Sequence, residues 1–185
     1  VSDREMKPVI KKFNELVNNG EKVILFRLNS YGGSVATGMD FIQHVEEAKK
    51  QGVHVQCVVD SKAMSMGFVF LQGFCDERLM TKRSILLAHN GSTKTSGTVE
   101  EAQESSEILK ALNDGMAEIC ASRLTISVDD YKKKIEKKAW TMSWKEALDV
   151  GAIDGLVDPM ALPVVYKLPL PELNILELLG GGKNQ

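Results

Sequence analysis

VILFRLNSYGGSVATG, residues Val23 to Gly38, passes from an apolar run into an uncharged segment with glycines at positions 32, 33 and 38. A strand that ends in a glycine pair and then enters a helix leaves backbone N–H groups uncovered by side chains. At a helix N-terminus such groups welcome negative charge. The stretch therefore reads as strand, anion-binding turn and helix.

The flanks support that reading. Residues 22–28 form the strand, and residues 34–50 form a helix with Val35, Met39, Ile42 and Val45 on one face and Gly52 as its C-cap. VHVQCVV, residues 53–59, is a second strand, which gives β-α-β order. Upstream, Met6, Val9, Ile10, Phe13, Leu16 and Val17 repeat at helical spacing over residues 5–18, stopped by Asn19-Gly20. Downstream, residues 65–74 read as a short buried helix and 83–89 as a third strand. A long amphipathic helix runs from about Val99 to Leu124 through Ala102, Ile108, Leu109, Leu112, Met116 and Ile119. Residues 143–158 give one more helix, capped by Ser143 and stopped at Gly151, then a short strand. Alternating strands and helices predict an α/β fold with parallel strands, in one domain over residues 1–160. Residues 161–185 differ: prolines break regular structure, while Leu173, Ile175, Leu176, Leu178 and Leu179 are too apolar for a free tail. We expect this tail to dock on the core or on a neighbouring subunit.

Composition excludes several classes of function. A net charge of −2 over 185 residues and a pI near 6.0 give no electrostatic reason to expect nucleic acid or an anionic membrane. No apolar run approaches membrane-spanning length, and no signal-peptide pattern opens the chain, which predicts a cytoplasmic protein. The sequence opens on Val1 without a methionine, which leaves room for a segment upstream. Three cysteines, Cys57, Cys75 and Cys120, lie far apart among apolar neighbours and read as buried thiols, not as disulfides or a metal site. No cofactor is expected.

DSKAMSMGF, Asp60 to Phe68, follows the second strand and sets Ser65 on a turn at the start of an apolar helix. That is one way to present a hydroxyl nucleophile, although the pattern is not G-x-S-x-G, and it equally fits a serine that caps a helix. In SILLAHNGS, His89 ends a strand at the sheet's carboxyl edge, where α/β sites gather. His44, on a helix face, and His54, opening a strand, are less well placed. A lone histidine is more often a packing residue than a base. Together, however, an anion-binding turn, a serine and a histidine supply the three parts of acyl transfer: oxyanion donors, nucleophile and base.

The same residues resemble the Clp protease proteolytic subunit, whose fold belongs with the crotonase-like spirals of β-β-α units. NSYGGSVATG is similar to that family's N-S-P-G-G motif, AMSMG to its nucleophile motif, and LAHNG to its base-histidine strand. SGTVEEAQESSEILKALNDGM resembles its handle segment and TMSWKEALDVGAID its late motif, so the likeness spans roughly residues 5–158. It implies a serine endopeptidase in which Ser65 attacks the peptide carbonyl, His89 takes its proton, and the N–H groups of Gly33 and Met66 hold the oxyanion. It further implies a substrate of peptide or unfolded protein, laid against Gly32 and a strand around Gly97 and Thr98. Assembly as heptameric, stacked homo-oligomeric rings, with an AAA+ unfoldase partner, is implied as well.

Two positions depart from the family. Tyr31 stands where a proline usually precedes the glycines. The triad aspartate is expected four residues before Ser143, and that position is Ala139. Glu136, Asp129, Asp130 and Asp114 are the acids left to orient His89, and a Ser-His dyad or a structural ring subunit without activity also fits. A Ser-Lys protease of the signal-peptide-peptidase kind, with Lys62 or Lys110 as base, and a crotonase-like acyl-CoA enzyme are further readings.

Overall fold

The computed structural model describes residues 1–158 and the backbone of residues 173–176. Helix α1 (Asp3–Asn18) leads into strand β1 (Val23–Ser30), then α2 (Val35–Lys49), β2 (His54–Met64), α3 (Met66–Gly73), β3 (Glu77–Met80) and β4 (Ile85–Ala88). Helix α4 (Val99–Ala121), α5 (Val128–Ile135), β5 (Trp140–Met142), α6 (Trp144–Asp149), β6 (Gly155–Leu156) and β7 (Leu173–Leu176) complete the chain. The fold is mixed α/β. β1, β2, β3, β4 and β6 pair in parallel, whereas β5 on β4 and β7 on β1 are antiparallel.

β2 organises the sheet. One edge pairs with β1, from Val23 opposite His54 onward. Its other edge divides, Gln56–Val59 pairing with β3 and Lys62–Met64 with β4. At the division the Val59 carbonyl accepts from Ser84 Oγ at 2.6 Å and from the Thr81 N–H at 3.2 Å, and Asp60 O accepts from Thr81 Oγ1 at 3.4 Å. Thr81 and Ser84 are both buried, so these bonds satisfy backbone groups that no strand reaches. The Asp60 carboxylate takes a two-pronged ion pair from Arg27 of β1, at 2.6 and 2.8 Å.

The helices pack on the sheet through aromatic rings. Phe13 of α1, Phe26 of β1, Phe41 of α2, and Phe70 and Phe74 in and after α3 form a continuous cluster with centroids 5.2–6.2 Å apart. All are fully buried, and truncating one to alanine costs about 3–5 kcal/mol. This cluster seats α2 and α3 side by side and fixes the start of α3 next to the glycine turn.

Several expectations need correction. β2 continues to Met64 because Asp60 and Lys62, polar as they are, face the partly open side of the sheet. α6 is not among them: capped by Ser143, it stops before Gly151 as expected, where φ 69° turns the chain toward β6. The three-thiol reading fails: Cys57 and Cys75 are joined in a disulfide with Cα atoms 5.7 Å apart. The turn after α3 returns Cys75 alongside β2, a proximity that their sequence separation of 18 conceals. Cys120 remains free and buried, and burial pushes its thiol up to about 12. Most of the tail, on which the docking expectation rests, lies outside the described residues.

Candidate active site

Ser65 joins β2 to α3 with φ 53° and ψ −123°, and among the described residues no other non-glycine has a positive φ. Such a conformation costs about 1–3 kcal/mol and persists only where the surroundings impose it. Here the Ser65 N–H is tied to Leu87 O of β4 at 2.9 Å, while its carbonyl accepts from Phe68 and Val69 and starts α3. The residue sits at the N-cap position, but its hydroxyl makes no capping bond. The cap reading therefore does not account for the side chain.

Glycines let the neighbouring turn approach. A Cβ on Gly32, whose φ is 98°, would lie 2.5 Å from Ser65 Cβ, and one on Gly38 would lie 2.5 Å from the Met66 side chain. Met66 is the first residue of α3, so its N–H has no acceptor within the helix and lies at the positive end of the helix dipole. Gly33, with φ 145°, abuts the backbone of Val1. The Ser34 N–H donates to Val1 O at 2.7 Å, and Thr37 Oγ1 donates to Asp3 Oδ1 at 2.5 Å, which moor the glycine turn to the start of α1.

His89 follows the last residue of β4, is exposed, and lines one cleft with Ser65. The cleft is narrow and open to solvent, and Val69, Met116, Ala117 and Ile135 form its apolar wall. His89 Nδ1 lies 2.6 Å from the Asn90 carbonyl oxygen. A carbonyl can only accept, so Nδ1 carries the proton and Nε2 keeps the lone pair that a base needs. No hydrogen bond links the Ser65 hydroxyl to the imidazole among the described residues. Catalytic pairs are often this loose without substrate.

Ala139 is exposed and offers no acid. Asp114 is held by Lys132 at 2.7 Å and Lys110 at 3.2 Å, and those two bonds lower its carboxyl below the ordinary value. Asp130 is lowered by Ser127 and then Lys133. Neither touches His89. Glu136 lines a second groove together with Asn90 and Asn113. Of the proposed lysine bases, Lys62 Nζ lies 3.9 Å over the Tyr31 ring and Lys110 is committed to Asp114.

Residues 89–98, where Gly97 takes φ 134°, pair with no strand among the described residues. Thr98 N-caps α4 in a capping box, its N–H donating to Glu101 Oε2 at 2.7 Å and its Oγ1 accepting from the Glu101 N–H at 3.2 Å. A residue that sequence reasoning passed over is Asn113 of α4. Its Oδ1 accepts from the Gly91 N–H at 2.7 Å and its Nδ2 donates to Gly91 O at 3.4 Å. The signal was there: Asn113 is a polar residue on the face shared by Leu109 and Met116.

A serine on a strained strand-to-helix turn, beside a glycine turn and a histidine, is the outline of a hydrolase site on an α/β scaffold. The family model for Clp protease matches residues 1–160, and the chain belongs to the Clp protease family. It is 29% identical over 140 residues to a protein of Mesostigma viride described as an ATP-dependent Clp protease proteolytic subunit. The match covers 74% of this chain and 58% of that relative's length.

Proposed function

We propose that the protein is a serine endopeptidase of the Clp type. Ser65 Oγ attacks the carbonyl carbon of a peptide bond while its proton passes to His89 Nε2. The N–H groups of Gly33 and Met66 hold the oxyanion, and His89 then protonates the departing amine, leaving an acyl-serine that water hydrolyses by the reverse proton path. The observation that carries this reading is the Ser65 turn: strain is held there and the hydroxyl makes no capping bond, in a cleft shared with His89 at the end of β4. The apolar wall suits an apolar substrate side chain, and the family supports assembly into homo-oligomeric rings that receive unfolded protein from an AAA+ partner.

The test is labelling with a fluorophosphonate probe, read by mass spectrometry, beside hydrolysis of small peptides. Ser65 should carry the adduct, and Ser65→Ala and His89→Ala should each abolish it, whereas Lys62→Ala and Lys110→Ala should not. Turnover that survives Ser65→Ala would move the site elsewhere. The exposed alanine at 139 favours one competing reading, a structural subunit in a mixed assembly. An assembled protein inert to probe and peptide alike would establish it.

A further inference from the structure

The loop that carries His89 is gripped from the side by α4. We infer that Asn113 is a positioning residue that does, through the backbone, the orienting task for which this chain has no acid at position 139. The inference rests on the Ser65–His89 reading. The argument is a chain of contacts. Asn113 pairs with both the N–H and the carbonyl of Gly91, at 2.7 and 3.4 Å. This fixes the Gly91 peptide group and, one residue back, the Asn90 carbonyl, which accepts from His89 Nδ1 at 2.6 Å. The Asn90 side chain adds a weaker tie to Ile135 O at 3.5 Å, so α5 holds the loop from below. The approach of helix and loop is close: a Cβ on Gly91 would lie 3.1 Å from Asn113 Oδ1 and 3.5 Å from Met116 Cε.

A carboxylate beside a catalytic histidine fixes its tautomer and ring orientation and stabilises the imidazolium. A carbonyl supplies the first two and only a partial charge for the third. Its value depends on being held still, because an exposed loop carbonyl that turns away releases Nδ1 to water. Asn113 prevents that turn. Asn113 lines the same cleft, but among the described residues its hydrogen bonds go to Gly91 and not to the imidazole or the hydroxyl, so it acts on the ring through the loop.

The test compares Asn113→Leu, which keeps the size and loses both bonds, with Asn113→Asp, which keeps the stronger acceptor bond to Gly91 N–H. Asn113→Leu should lower kcat about tenfold to a hundredfold, the scale of a misplaced catalytic group, with KM moved less than threefold. Asn113→Asp should stay within about threefold of wild type. Two further readouts separate orientation from general damage. On the neutral imidazole, ¹⁵N NMR of His89 should show the Nδ1–H tautomer in wild type and a mixture of tautomers in Asn113→Leu. In an Ala139→Asp background, where a carboxylate holds the ring directly, Asn113→Leu should cost less than half as many decades in kcat. Equal losses in both backgrounds, or an unchanged tautomer in Asn113→Leu, would overturn the inference while leaving Ser65 and His89 in place. A wild-type protein that neither labels nor hydrolyses would instead remove the reading beneath it, and the tautomer measurement would still decide whether Asn113 sets the ring.

Discussion

Ala88 of β4 faces Trp140 of β5 at the end of an antiparallel ladder, so His89 and Ala139 are the first residues beyond that end on the two chain segments. Opposed residues in such a ladder have Cβ atoms about 4.5–5.5 Å apart, within reach of a short carboxylate. Ala139→Asp should therefore raise kcat on a small ester or peptide about tenfold, well short of the roughly 10⁴ that a triad acid is worth elsewhere, because Trp140 and Lys138 have settled around alanine. Initial rates of the variant and of Glu136→Gln decide the matter. No gain in the first with loss in the second would make Glu136 the acid.

Ser65→Gly relieves the one positive φ outside glycine among the described residues. The variant should be more stable than wild type by about 1 kcal/mol and wholly unreactive, since strain at functional sites is held at the expense of stability. Denaturant melts alongside probe labelling test both halves. A stability equal to or below that of wild type would mean that the turn is unstrained.

The Cys57–Cys75 disulfide closes a loop of chain that contains Ser65. Replacing both cysteines by alanine should cost about 2–4 kcal/mol, mainly by freeing the unfolded chain. Thiol titration of the unreduced, unfolded protein should find only Cys120. Three reactive thiols would show the bond to be open.

Arg78 is buried and grips Asp154 at 2.5 and 3.1 Å. Burial pushes the Asp154 carboxyl up, but the Arg78 bonds outweigh it and leave the group below its ordinary value. A depressed folded-state pKa means that this stabilisation is present above the unfolded value, near 3.8, and is lost as pH falls through the folded one. Asp154→Asn should destabilise the protein at neutral pH by about 2–3 kcal/mol, since the carboxylate is partly exposed and the guanidinium left behind is not, and should flatten the acid limb of the stability curve. Melts between pH 3 and pH 7 would show a parallel offset instead if Arg78 found another partner.

The elements that sequence revealed are those with undiluted periodicity. α1, β1 and α2 carry apolar residues at regular spacings that their polar contacts, such as Arg27 with Asp60, do not interrupt, and the Gly32-Gly33 turn, Ser65 and His89 fall at element ends, where chemistry shows in the residue types themselves. β3 escaped because ERLM opens with two charges; Arg78 is tolerated there by its pairing with Asp154, 76 residues away, and by bonds from its guanidinium to Gln72 Oε1 and the Arg123 carbonyl. α5 escaped because its lysines drown two anchors, Tyr131 and Ile135, spaced one turn apart. The disulfide and the Asn113–Gly91 clasp depend on which elements become neighbours, and no local pattern encodes that.

Because β2 changes partners midway, the one sheet divides along that edge into two plates on a common spine. β3 and β6 belong to the first plate, and β4, with β5 beyond it, to the second. The buried hydroxyls of Thr81 and Ser84 rivet the seam where they part. Ser65 is tied to Leu87 of β4, and His89 follows two residues later, just beyond the end of that strand, so the two candidate catalytic residues are anchored to a single plate. The spacing of the two is therefore set by β4 and by the end of β2 that pairs with it, and not by β3 or β6.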